Sequence, residues 1–149
     1  GATAAVLIAN STFSRNYAEM GGSAIAIKAD TVVTNCTFSG HKTERTGGAI
    51  DAAAPCEIRD STFFNNTAQN GAGAIVFKAK VNVSGCVFIA NTAVDTLGGA
   101  AILVNKGILG YSMIKDSVFL SNTCTECVGG ALSMDAPVFV TGCNFTNNS

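Results

Sequence analysis

The chain of 149 residues contains no tryptophan and one histidine, and only 13% of its residues are charged. Each scarcity excludes something. With His41 as the single imidazole there is no histidine pair for a metal site, and a Ser-His-Asp relay would have to recruit that one residue. Nine Lys and Arg stand against ten Asp and Glu, for a net charge of −1, and the basic residues do not cluster. A nucleic-acid or anionic-membrane surface is therefore not expected. No unbroken apolar run is long enough to span a bilayer and no signal-peptide pattern opens the sequence, so membrane insertion is not expected either. No 3.6-residue apolar periodicity persists long enough to define a helix.

What is present is a repeat. Phenylalanine returns at Phe13, Phe38, Phe63, Phe88, Phe119 and Phe145, in steps of 25, 25, 25, 31 and 26 residues. Three residues after each comes Asn16, His41, Asn66, Asn91, Asn122 or Asn148. Two residues before each comes Ser11, Cys36, Ser61, Cys86, Ser117 or Cys143. A glycine-rich element ending at Ile25, Ile50, Ile75, Ile102 and Leu132 follows the first five. Six registered copies of one pattern define an internal repeat.

Within each repeat, apolar residues fall at every second position in three short runs, as in Ala74-Ile75-Val76-Phe77, Val81-Asn82-Val83-Ser84 and Cys86-Val87-Phe88-Ile89. The expected fold is all-β: a right-handed parallel β-helix spanning residues 1–149 as one domain, about six coils of ~25 residues, with three short parallel sheets as walls. The chain begins and ends inside a coil, which reads as part of a longer array or of an assembly. Equivalent residues on successive coils should lie about 4.8 Å apart. The phenylalanines should stack, and the asparagine amides should bond from coil to coil. His41 reads as a hydrogen-bonding substitute within that column.

The six cysteines divide by position. Cys36, Cys86 and Cys143 alternate with serine in one inward column, which puts successive thiols roughly 10 Å apart, beyond the reach of a disulfide. They read as small core fillers, and Cys56 reads as buried. Cys124 and Cys127 lie in a turn and are expected to form a local disulfide. The longest irregularity is an insertion within Asn105–Tyr111, read equally as a binding loop or a tolerated surface loop. The turn at Val94-Asp95-Thr96-Leu97 is also slightly lengthened.

Asn10, Asn35, Asn65, Asn82, Asn144 and Asn147 all head N-x-[ST] sequons, whereas composition alone predicts about two. Turn chemistry enriches Asn, Ser and Thr together, yet the excess points to a secreted protein carrying N-glycans. The carboxylates show no catalytic grouping. Asp60 and Asp116 share a column, near 10 Å apart with Gly85 between them, beyond the usual separation for glycoside hydrolysis. No cofactor is expected.

The paired motifs Gly47-Gly48-Ala49-Ile50 and Gly129-Gly130-Ala131-Leu132, with Phe13-Ser14-Arg15-Asn16, Phe63-Phe64-Asn65-Asn66, Phe88-Ile89-Ala90-Asn91, Phe119-Leu120-Ser121-Asn122 and Phe145-Thr146-Asn147-Asn148, resemble the repeats of the chlamydial polymorphic membrane proteins. That resemblance implies a right-handed parallel β-helix displayed outside the cell and used for adhesion or self-assembly. His41 departs from the pattern.

The expected function is a non-enzymatic extracellular structural or adhesive module, with a glycosylated filament subunit as its most specific form. Its partners would be further copies of itself or a cell-surface molecule. A carbohydrate-binding or polysaccharide-processing β-helix is the alternative. Ice binding is a weaker third, resting on the outward column Thr12, Thr37 and Thr62, which continues irregularly as Val87 and Val118. Phe64, Ile89 and Leu120 form an outward apolar column and are the expected interface, and Val76 with Leu103 should add a second exposed patch.

Overall fold

A computed structural model describes residues 5–95 and 98–149, so Thr96 and Leu97 of the lengthened turn lie outside the described residues. The described chain winds as a parallel β-helix. Its first wall is a six-stranded sheet of Val6–Ala9, Thr31–Thr34, Cys56–Arg59, Val81–Ser84, Ser112–Lys115 and Val138–Thr141. The second wall, also six-stranded, is Thr12–Ser14, Thr37–Ser39, Thr62–Phe64, Val87–Ile89, Val118–Leu120 and Asn144–Thr146. Every pairing is parallel, and the register places Phe13, Phe38, Phe63, Phe88, Phe119 and Phe145 opposite one another in turn.

Four walls stand where three were expected. The additional one consists of Tyr17–Ala18, Lys42–Thr43, Thr67–Asn70, Thr92–Asp95 and Thr123–Cys124. These strands are as short as two residues, and their buried side chains are small: Thr43, Ala68 and Ala93. Such segments show almost no apolar alternation, and in the sequence they look like turn. The fourth wall is Ile25–Ile27, Ile50–Ala52, Ile75–Phe77, Ile102–Val104 and Leu132–Met134.

Two corner columns bend each coil. Asn10, Asn35, Asp60, Gly85, Asp116 and Gly142 separate the first wall from the second, with φ between 49° and 63°. Arg15, Gly40, Asn65, Ala90, Ser121 and Asn147 separate the second from the third, with φ between 52° and 66°. Asn, Asp and Gly adopt this left-handed conformation at least cost. The glycine motif before the fourth wall answers a different need. A Cβ on Gly48 would overlap the backbone of Gly73 in the next coil, so the coils can stack there only without side chains.

One core runs through the coils. Phe38, Phe63, Phe88 and Phe119 are fully buried, and all six rings stack face to face with centroids 4.8–4.9 Å apart. Val33, Ile58, Val83 and Ile114 fill the first-wall side, and Ile50, Ile75 and Ile102 the fourth-wall side. The expected exposed patch at Val76 and Leu103 is not exposed. These residues do point away from the main core, but with Ala72 they form a second buried cluster. The preceding turn folds back over the sheet, so that a Cβ on Gly71 would lie 3.2 Å from Val76 Cγ2.

Candidate functional site

From Asn66 through Asn91 and Asn122 to Asn148 the asparagine column is a continuous amide ladder. Asn91 shows the full pattern. Its Oδ1 accepts from the backbone N–H of Asn66 at 3.1 Å and from Asn66 Nδ2 at 2.9 Å. Its Nδ2 donates to Asn122 Oδ1 at 2.9 Å and to the Phe63 carbonyl at 3.0 Å. Both donors and both acceptor sites of the amide are thereby used, in a fully buried position. Asn122 repeats the arrangement toward Asn148.

His41 enters this ladder as an isostere. Its Nδ1 accepts from the Asn16 N–H at 3.1 Å, and its Nε2 lies 3.1 Å from the Phe13 carbonyl. Those partners assign the neutral tautomer with hydrogen on Nε2, so Nδ1 takes the role of an amide oxygen and Nε2 that of an amide nitrogen. Burial lowers the pKa of His41 from its ordinary value of 6.5, while the Phe13 carbonyl, which favours a protonated ring, works against that shift. A proton on Nδ1 would face the Asn16 N–H, donor against donor. Below pH 6.5 the unfolded chain thus binds more protons than the folded one. Stability should be whole above about 6.5 and fall with pH down to the lowered folded value. Urea denaturation at neutral and mildly acidic pH checks this: His41→Asn should remove the loss, and an equal pH dependence in both proteins would refute it.

The serine and cysteine column also has a role that core filling misses. Ser61 Oγ donates to the Arg59 carbonyl at 2.9 Å and accepts from the Cys36 N–H at 3.1 Å. Ser117 does the same with Lys115 and Cys86. Cys36 and Cys86 direct their thiols to the carbonyl two residues back, at 3.3 and 3.4 Å. These side chains thus secure the corner between the first and second walls. Cys36, Cys56, Cys86 and Cys143 are free thiols, and burial pushes Cys56 and Cys86 up to about 12, far from the reactive thiolate range. Cys124 and Cys127 face each other across their turn with Cα atoms 5.5 Å apart, within the span of a disulfide.

The inner columns are committed to the fold, which leaves the outer faces. All six sequon asparagines are exposed. Asn10, Asn35, Asn65 and Asn147 occupy left-handed corners, whereas Asn82 and Asn144 lie on outward strand positions. Asn35 Nδ2 donates to Asn10 Oδ1 at 2.7 Å, so those two stand side by side. On the second wall, Phe64, Ile89 and Leu120 pair in direct succession. Phe64 is 47% exposed, Ile89 and Leu120 are half-buried, and Val87 and Val118 run beside them. Thr12, Thr37 and Thr62 likewise line up, with Val87 and Val118 continuing their column. Asp60 and Asp116 occupy corners two coils apart, and among the described residues no three His, Cys, Asp or Glu side chains are grouped to hold a metal.

The insertion contributes to both sides of the wall. Ile108 turns inward and joins the core, while Leu109 is 90% exposed. Tyr111, at its end, packs its ring against Phe139 with centroids 5.0 Å apart. This exposed aromatic pair was not anticipated. Its signal was the outward register of Phe139 beside Val140, together with a tyrosine closing the insertion.

A family model described as "Right handed beta helix region" matches residues 1–108. The chain belongs to the right-handed β-helix family. The match stops within the insertion, yet the β-helix continues through it: Val81–Ser84 pairs with Ser112–Lys115, and that strand with Val138–Thr141. Neither the curated proteins nor the solved structures yield a match.

Proposed function

We propose that this β-helix is a non-enzymatic structural or adhesive module displayed outside the cell, bearing N-glycans and using a side wall to bind further copies of itself or a cell-surface partner. The observation that carries the reading is the exposure of all six sequon asparagines, none of which is spent on the inner ladder. Two features support it. The Cys124–Cys127 pair suits an oxidising compartment. The Gly-Gly-Ala-Ile and Phe-x-x-Asn motifs resemble those of the chlamydial polymorphic membrane proteins, which implies display and adhesion. The second-wall strip of Phe64, Ile89 and Leu120 is a contiguous apolar surface of the kind that marks contacts. No feature favours polysaccharide processing over this reading.

Glycans and the strip compete for the same face. Asn65 follows Phe64 directly, and Asn144 pairs with Val118. Association through the strip therefore requires those two sequons to be bare. The mass of the native protein, measured before and after treatment with an N-glycosidase, should fall by the mass of one or more glycans. An unchanged mass would refute the glycosylated reading. Sedimentation of the same material should show concentration-dependent association that Phe64→Asp and Leu120→Asp abolish, and a wild type that stays monomeric would remove self-association and leave a binding module.

A further inference from the structure

We infer that a glycan on Asn82 lies along the first wall and covers the apolar patch of Tyr111, Met113 and Phe139; this rests on the reading that the sequons are occupied. The outward column of the first wall runs Leu7, Val32, Glu57, Asn82, Met113 and Phe139, each paired in register with the next. Asn82 is thus one coil from Met113 and two from Phe139, about 10 Å in all, within reach of a short oligosaccharide. Tyr111 is 64% exposed, Phe139 55% and Met113 37%, and the two rings pack on each other. Such a contiguous patch calls for a cover. The C–H faces of N-acetylglucosamine pack well on aromatic rings, which offer a broad apolar surface with a polar hydroxyl at its rim.

Two further observations bear on Asn82, the first of which it shares with Asn144. Asparagine is disfavoured in strands, and the left-handed corners that explain Asn10, Asn35, Asn65 and Asn147 do not explain a residue within Val81–Ser84. The column is also asymmetric about it. On one side Glu57 is engaged by Arg59 at 3.1 Å, a charged and solvent-exposed pair, and on the other side lies the apolar patch. On the adjacent coil a sugar chain leaving Asn82 meets apolar Met113 in one direction and the Glu57–Arg59 pair in the other.

The chain offers its own reporter, because it has two tyrosines and no tryptophan. In a Tyr17→Phe background, tyrosine emission comes from Tyr111 alone. The glycosylated protein, produced through a secretory pathway, is compared with Asn82→Gln and with Ser84→Ala, two independent ways of removing the sequon. Peptide mapping scores occupancy at Asn82, and acrylamide quenching scores access to Tyr111. The expected result is an occupied Asn82, a shielded Tyr111, and a quenching slope that rises toward that of a free tyrosine in both variants. An occupied Asn82 with unchanged quenching overturns the inference while the glycosylated reading stands. A bare Asn82 beside other occupied sequons does the same. Shielding that depends on protein concentration and survives both variants assigns the patch to a second copy and also overturns it. Only a protein with every sequon bare removes both.

Discussion

Asn91→Ala should destabilise the β-helix by at least about 2 kcal/mol, because it strands two buried polar groups at about 1–3 kcal/mol each. Those groups are the Asn66 N–H and one hydrogen of Asn66 Nδ2, both now bonded to Asn91 Oδ1; the Phe63 carbonyl loses its bond from Asn91 Nδ2 but keeps its place in the parallel ladder. Asn122 Oδ1 suffers less, since it also accepts from the Asn91 backbone N–H at 3.0 Å, a bond that alanine keeps. Asn91→Asp should be worse still. It can accept from Asn66, but it sets an oxygen against the Phe63 carbonyl and Asn122 Oδ1 and buries a charge. Asn91→His should be the mildest of the three, because His41 already shows a ring making two of the four bonds in this column. Urea denaturation of the three variants tests the order His, Ala, Asp. A cost below about 1 kcal/mol for alanine, the worth of a single ordinary hydrogen bond, would show that the ladder does not hold the coils together.

The columns that were legible in the sequence are those that demand one residue type. Only a flat ring stacks as Phe63 does, and only an amide both donates and accepts twice as Asn91 does, so these positions repeat almost without variation. The corner columns are less legible. Asn10, Asn35 and Asp60 suit a left-handed φ, but Arg15, Ala90 and Ser121 adopt it without any sequence signature. At Ala90 the conformation costs about 1–2 kcal/mol, which the bonds on either side of the corner must offset. The third wall was invisible because Ala68 and Ala93 fill its inward positions, and alanine alternating with polar residues carries little periodic signal. Val76 and Leu103 point outward by alternation, but alternation does not reveal that a turn folds over them. The Tyr111–Phe139 pair joins residues 28 apart through an insertion that breaks the 25-residue spacing. Function is legible only in part, because the residues that repeat serve the fold. What distinguishes this β-helix lies on outward positions, where a repeat imposes nothing.

Phe63→Ala should cost about 3–5 kcal/mol, as large-to-small changes at fully buried aromatic sites do. Its ring stacks on Phe38 at 4.8 Å and on Phe88 at 4.9 Å, so alanine opens a gap between two rings that neighbouring coils hold in place. The hole closes poorly because the backbone spacing is fixed by the parallel ladders on either side. Phe63→Leu keeps much of the apolar volume but loses both stacking contacts, worth about 0.5–1.5 kcal/mol each beyond burial. Phe13→Ala should cost less than Phe63→Ala, since Phe13 is half-buried and stacks on Phe38 alone among the described rings. The stack also predicts how the losses combine. Phe63 and Phe88 touch, so their alanine double variant should depart from additivity, whereas Phe13 and Phe119 share no contact and should add. Denaturation midpoints of the single and double variants provide the measurement. Additive losses for Phe63 and Phe88, or an equal cost for Phe13 and Phe63, would mean that the rings fill space independently, with no nearest-neighbour coupling passing along the coil axis.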